Sequence, residues 1–97
     1  MRKISFICPL ENGLHARPAT ELQQRAVKFH SRMTLHNLRN QRQVDARSVL
    51  ALIGADVLHQ DTCELHIDGE DEQDAWQMLS GFIARELAGC DAPLAPA

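Results

Sequence analysis

The chain has 97 residues, 44% of them hydrophobic and 24% charged, with a formal net charge of −3. That size suits one globular domain with a modest core, and the acidic balance excludes the basic footprint of a nucleic-acid binder. No run approaches the ~18–20 apolar residues that a membrane span needs, and the start Met1-Arg2-Lys3-Ile4-Ser5 lacks the apolar stretch of a signal peptide, which points to a cytoplasmic protein.

Ile4, Phe6 and Cys8 alternate with Ser5 and Ile7, the period of two expected of a strand with one buried face. Pro9 to Gly13 supplies loop chemistry. The spacing of Ala19, Leu22, Ala26 and Phe29 predicts a helix over about 16–29, with Pro18 tolerated in its first turn. Met33 and Leu35 mark a second strand, and the polar stretch Asn37–Gln43 a hairpin leading to a short third strand around Val44. Ser48 then stands before Val49-Leu50-Ala51-Leu52-Ile53 as an N-cap, with Gly54 in the place of a C′ glycine. Cys63, Leu65 and Ile67 form the clearest alternation in the chain, ended by Gly69. Glu70-Asp71-Glu72 places negative charge where a last helix begins. Its apolar stripe is Ala75, Leu79, Phe82, Ile83 and Leu87, and Gly89 is expected to stop it. The order βαββαβα predicts a two-layer α/β (α+β) open-faced sandwich, because strands with one apolar face need helices on that face only.

Cys8, Cys63 and Cys90 form no CxxC pair, so neither a zinc site nor a disulfide framework is expected. Cys8 and Cys63 fall on the apolar sides of strands and read as small buried hydrophobes. His30, His36, His59 and His66 lack metal-ligand spacing and read as structural, solvent-facing histidines. Trp76 lies beside the last stripe and reads as packed or partly exposed. Of the Lys and Arg residues, all but Arg85 precede Ser48, whereas acids dominate from Asp56 onward. A basic first half could steer toward an acidic protein partner, or a small domain could simply carry two differently charged faces.

The segment Gly13-Leu14-His15-Ala16-Arg17-Pro18-Ala19 carries the chemistry. A helix start offers free N–H groups and partial positive charge, both of which favour an anion. Arg17 adds a guanidinium fork suited to phosphate, and Gly13 permits a tight turn before the histidine. His15 is a nucleophile near neutral pH whose phosphorylated nitrogen leaves readily. Physics alone equally allows a histidine that caps or packs at a helix start.

That run closely resembles the phosphorylation motif of HPr, the histidine phosphocarrier of the sugar phosphotransferase system. Ala46-Arg47-Ser48 followed by Val49-Leu50-Ala51-Leu52 resembles the start of that family's second helix, and Gly69-Glu70-Asp71-Glu72-Gln73 the start of its final helix. The resemblance covers roughly residues 2–88. It implies an antiparallel sheet of order 1-4-2-3 under three helices, phosphorylation of His15 at Nδ1, and stabilisation of the phosphoryl group by Arg17. It places Ser48 at a position that some members use for regulatory phosphorylation, against the plainer role of an N-cap. It also makes Val49, Leu50 and Ile53 candidates for a partner-docking patch, with core packing as the other use of these side chains. The implied partners are an enzyme I-type donor and an enzyme IIA-type acceptor, with phosphoenolpyruvate as the ultimate source, no cofactor or metal, no nucleic acid and no membrane insertion.

Arg39-Asn40-Gln41-Arg42-Gln43 replaces the small, glycine-bearing turn usual in the family, and a Pro/Ala-rich tail follows residue 88. In both respects the chain resembles more closely the HPr-like domain at the front of multiphosphoryl transfer proteins. The expected organisation is a monomeric carrier domain over 1–88 and a linker or tail over 89–97. A stand-alone paralogue acting mainly as a regulatory docking module is the alternative, which an intact His15 argues against; a purely structural adaptor would need neither His15 nor Arg17.

Overall fold

The computed structural model describes residues 1–8, 10–11 and 13–87, with backbone alone for 86 and 87. The elements run β1 (Arg2–Ile7), α1 (Ala16–Ala26), β2 (Arg32–Asn37), β3 (Arg42–Asp45), α2 (Val49–Gly54), β4 (Thr62–Asp68) and α3 (Glu72–Phe82), the last continuing through a π-helical turn over Ile83–Leu87. The expected stop at Gly89, Cys90, the tail over 89–97, Pro9, Asn12 and the Leu87 side chain lie outside the described residues.

All strand pairs are antiparallel, in the order β1-β4-β2-β3. β4 occupies the interior of the sheet, with Leu65 opposite Ile4 on one side and Leu35 on the other. Alternation then sends Ile4, Phe6, Met33, Leu35, Cys63, Leu65 and Ile67 to one face, where they pack against Ala19 and Leu22 of α1, Leu52 of α2, and Ala75, Leu79 and Phe82 of α3. Leu22, Leu52, Leu65 and Leu79 are at most 1% exposed, each contributing about 1.5–3 kcal/mol by leaving water. Cys8 and Cys63 are buried in this core, and burial, the main cause, pushes the Cys63 thiol up to about 12. Such a thiol is an inert packing group.

The opposite face of the sheet is open, and two of the four histidines expected to face solvent lie there as a pair. His36 and His66 are half-buried and stack with ring centroids 3.7 Å apart, and His66 Nε2 lies 2.9 Å from Glu64 Oε1. His30 and His59 are exposed. Trp76 is half-buried, and its indole N–H donates to the Lys3 carbonyl at 3.1 Å, fastening α3 to β1.

Three boundaries differ from the periodicity. α1 ends at Ala26, three residues before Phe29, because the chain tightens there. Lys28 and Phe29 N–H donate to the Arg25 and Ala26 carbonyls, bonds that span three residues instead of four. Phe29 still packs on the core from this tightened turn. β1 ends at Ile7, although Cys8 continues its inward side and donates its N–H to the Asp61 carbonyl at 2.9 Å. Gly54 is the last helical residue of α2 and not its C′ glycine: Ala55 is the C-cap, and the left-handed residue after it is Asp56, at φ 56°. An Asx residue tolerates that conformation, and the Asp56 carbonyl so presented accepts bonds from Asn37 and Arg39.

Asp71 is the N-cap residue of α3, yet its carboxylate caps nothing in that helix. It reaches the α1–β2 loop instead, accepting the His30 N–H at 2.7 Å, the Ser31 N–H at 2.9 Å and the Ser31 hydroxyl. The Ser31 hydroxyl first, and the His30 N–H after it, hold this carboxyl below the usual carboxylate range. A folded-state value below the unfolded one gives stability that is present above the unfolded pKa of about 3.9, and that stability is lost as pH falls through the folded value. Asp71→Asn should therefore lower stability at neutral pH and flatten its decline between about pH 5 and pH 2, as read from denaturant melts across that range.

Candidate functional site

The segment before α1 is folded onto the loop between α2 and β4. Gly13 adopts φ +72°, and its N–H donates to the Leu10 carbonyl at 2.9 Å. A Cβ at this position would lie 2.1 Å from the Val57 carbonyl oxygen, so both the backbone angle and the space require glycine. Leu14 N–H donates to that same Val57 oxygen at 3.0 Å, and the Leu14 side chain is buried. His15 N–H donates back to the Gly13 carbonyl, and the His15 carbonyl accepts from Ala19 N–H, both at 3.0 Å. The His15 backbone is thus held on both sides while its imidazole stands exposed.

His15 is the N-cap residue of α1, at φ −97° and ψ −168°, and its side chain makes no capping hydrogen bond. Ala16 and Arg17 follow in the first turn, where the helix provides no acceptor for their N–H groups. Pro18 comes next and has no N–H to satisfy. No acid occupies the first turn of α1. The arrangement leaves the positive end of the helix without the carboxylate or hydroxyl that such an end prefers.

Arg17 is 87% exposed at its side chain, with Nε 3.8 Å from Glu21 Oε2, a helical i,i+4 pair. His15, Arg17, Pro18, Glu21 and Leu10 line a shallow depression of about 270 Å³. Glu21 had a sequence signal in its i,i+4 spacing from Arg17 but no reason to be chosen over any other surface acid. Val57 had no signal at all, since it acts through its carbonyl. A larger depression of about 480 Å³, lined by His30, Arg32, Met33, Asp45, Arg47 and Asp68, contains none of these residues. Among the described residues no group of three or more His, Cys, Asp or Glu side chains is placed to hold a metal ion.

Ser48 is not among the residues lining the depression beside His15. It is the N-cap of α2, where its hydroxyl oxygen accepts the Ala51 N–H at 3.2 Å. Of the three apolar candidates on this helix, Val49 packs partly against the core, while Leu50 is 82% and Ile53 40% exposed. α2 lies against α1, so Leu50 and Ile53 present apolar surface on the neighbour of the helix that carries His15.

An open-faced sandwich with an exposed histidine at its first helix start is the architecture of histidine phosphocarriers. The histidine-containing phosphocarrier protein from Mycoplasma aligns with a TM-score of 0.80 at 29% identity, covering 86% of this chain and 92% of that one. An HPr from Thermoanaerobacter tengcongensis gives 0.77 at 29% identity, covering 86% and 91%. The family model described as the PTS HPr component phosphorylation site matches residues 3–85, and the chain belongs to this family of phosphotransferase-system phosphocarriers. Multiphosphoryl transfer protein 2 of Escherichia coli K12 is 50% identical over 92 residues, which is 95% of this chain and 11% of that protein. Multiphosphoryl transfer protein 1 of the same strain is 47% identical over 83 residues, or 86% and 10%. The chain thus spans about a tenth of the length of the curated relatives it matches. Among the described residues no helix is long and apolar enough to cross a membrane.

The contact at Gly13 yields a direct test. Gly13→Ala should cost at least about 1–3 kcal/mol from the left-handed backbone alone, with displacement of the Val57 carbonyl added to it. Denaturant unfolding of the variant against wild type measures this.

Proposed function

We propose that His15 accepts a phosphoryl group on Nδ1 from an enzyme I-type donor, fed by phosphoenolpyruvate, and passes it to an enzyme IIA-type acceptor in the cytoplasm. We further propose that residues 1–88 are the carrier domain of a longer multiphosphoryl transfer protein and that 89–97 begin its linker, a reading supported by the small share of the relatives that this chain covers. The observation that carries the assignment is the exposed N-cap imidazole that makes no cap bond beside Arg17.

In the acceptor step the neutral imidazole offers its unprotonated Nδ1 lone pair to phosphorus, with the ring proton on Nε2. The nitrogen–phosphorus bond forms as the bond from phosphorus to the donor's leaving atom breaks, and the leaving atom keeps that electron pair. The transferred oxygens then supply what the helix start lacks, an anionic acceptor within reach of the first-turn N–H groups. Arg17 turns from Glu21 to the phosphoryl group, because a bond to a dianion outweighs an exposed i,i+4 pair worth only about 0.3–0.5 kcal/mol. Positioning and charge stabilisation suffice for such a transfer. Leu50 and Ile53, with Val49 beneath them, are proposed to meet the partners. Ser48 is the candidate for regulatory phosphorylation, in addition to its capping role.

Incubation with enzyme I and labelled phosphoenolpyruvate should place one acid-labile, base-stable phosphoryl group on the chain, and His15→Ala should abolish it without unfolding the domain. Label persisting in that variant would overturn the assignment. Arg17→Ala should slow transfer by about one to two powers of ten, the rate equivalent of losing a charge-assisted bond of roughly 1.5–3 kcal/mol. Its melting temperature should stay level or rise slightly. A cation in the first turn opposes the helix dipole by about 0.3–1 kcal/mol, and Arg placed before Glu is the weaker i,i+4 orientation. Arg17→Lys should recover part of the rate, since it keeps charge and loses the fork. Ser48→Asp, which can still cap, should slow transfer from the donor by placing charge beside Leu50; an unchanged rate would remove this surface from the docking interface.

A further inference from the structure

The polar turn Arg39–Gln43 that departs from the family pattern is explained by none of the chemistry above, yet it reaches the back of the site. Arg39 extends from the β2–β3 turn to the loop over 55–61. Its Nε donates to Asp61 Oδ1 and Oδ2 at 2.9 and 2.8 Å, and its Nη2 donates to the Asp56 carbonyl at 2.7 Å. Asp61 is only 8% exposed. Its Oδ2 also accepts the Leu58 N–H at 2.8 Å and the amide of the fully buried Asn37 at 3.3 Å. That loop holds two non-glycine residues at positive φ, Asp56 at 56° and Gln60 at 71°; Asp56 is an Asx residue that tolerates it, whereas Gln60 keeps it where surrounding bonds determine it.

Both flanks of the reactive segment rest on this loop. On one flank the Cys8 N–H donates to the Asp61 carbonyl at 2.9 Å, and the Gln60 N–H donates to the Cys8 carbonyl at 2.6 Å. On the other, Leu14 N–H donates to Val57 O, and Gly13 lies against the same carbonyl. Val57 adjoins Leu58, whose N–H is held by the Asp61 carboxylate. His15 therefore stands on a span whose two ends are fixed by one loop; Asn37 and Asn40 hold the start of that loop through the Ala55 carbonyl at 3.1 Å, and its end is pinned through the Asp61 carboxylate to the Arg39 guanidinium.

We propose that Arg39 and Asp61 are positioning residues for phosphoryl transfer: their ion pair holds the loop over 55–61 so that the Val57 carbonyl and the Asp61 backbone fix the span carrying His15. This rests on the reading of His15 as the phosphoryl acceptor. Neither side chain touches the imidazole. Their effect is on the geometry of attack, where a small misplacement of the nucleophile is expensive in rate.

Arg39→Ala tests this with least risk to the fold, because the Arg39 side chain is 42% exposed. Hydrogen exchange of the Leu14 amide should accelerate at least about tenfold while that of Leu65, in β4, stays unchanged, the signature of local loosening. The single-turnover transfer rate at saturating enzyme I, charged with labelled phosphoenolpyruvate, should fall about tenfold with the half-saturating donor concentration unchanged. Arg39→Lys should recover part of both effects. An unchanged Leu14 amide, equal acceleration at Leu14 and Leu65, or a loosened Leu14 with a normal transfer rate would each overturn the proposal. A wild-type chain that accepts no label would instead overturn the reading of His15, so the two failures are separate results.

Discussion

The placement of β4 between β1 and β2 is the constraint on which the rest of the structure depends. Among the described residues β4 is the last strand, yet it supplies the only strand neighbour that β1 has in the sheet. Until it is inserted, Ile4 and Phe6 have no sheet to belong to, and the buried layer of Cys63, Leu65 and Ile67 that α1 and α3 cover does not exist. Pairing of such sequence separation must first overcome the entropy of closing a long loop. Its consequence for the site is immediate: residues 55–61 lead directly into β4, so inserting the strand carries Val57 and Asp61 under the segment that ends in His15.

The three helix starts show how stability and function are divided. α2 begins with Ser48, whose hydroxyl oxygen meets the Ala51 N–H. α3 begins with acids in its first turn, Glu72 and Asp74, and Glu72 Oε1 accepts the Gly69 N–H at 3.1 Å. α2 thus follows the preference for an oxygen acceptor at a helix N-terminus and α3 the preference for negative charge there. α1 has neither the side-chain cap of α2 nor the first-turn acids of α3, and it carries a guanidinium where a carboxylate would be favoured. The departure from local rules falls at the residue proposed as the phosphoryl acceptor, in keeping with the general tendency of functional sites to forgo local optimisation. On the proposed reading, a phosphoryl group on His15 would supply the missing cap.

Asp61 shows how the support of the site is balanced. Burial, the largest single effect on its carboxyl, would push the group upward. The Leu58 N–H, Arg39 and Asn37 together outweigh it, and the net direction is downward. A buried carboxylate is retained only where such partners surround it. The same partners leave the loop little freedom, as the proposed platform role requires.

The alternation in β1, β2 and β4, the apolar stripes of α1 and α3, the Ser48 cap and the His15-x-Arg17-Pro18 constellation were legible in the sequence, because each depends on residues a few positions apart. Periodicity within a strand says nothing about its neighbour, so the order β1-β4-β2-β3 was expected through family resemblance alone. Phe29 fits the stripe of α1 yet lies beyond its end, because hydrogen bonds of a tightened turn, and not apolar spacing, set that boundary. Gly54 looked like a helix stop, but Asp56 took the left-handed position, with its carbonyl drawn to Asn37 and Arg39 from another strand and turn. The residues beneath the His15 segment, Val57 through its carbonyl and Asp61 through its backbone and buried carboxylate, carry no local signature. The sequence by itself determined which histidine is the candidate acceptor and which helix presents it; only the tertiary structure decided what that residue stands on, because backbone contacts between segments more than forty residues apart leave no periodic trace in the chain.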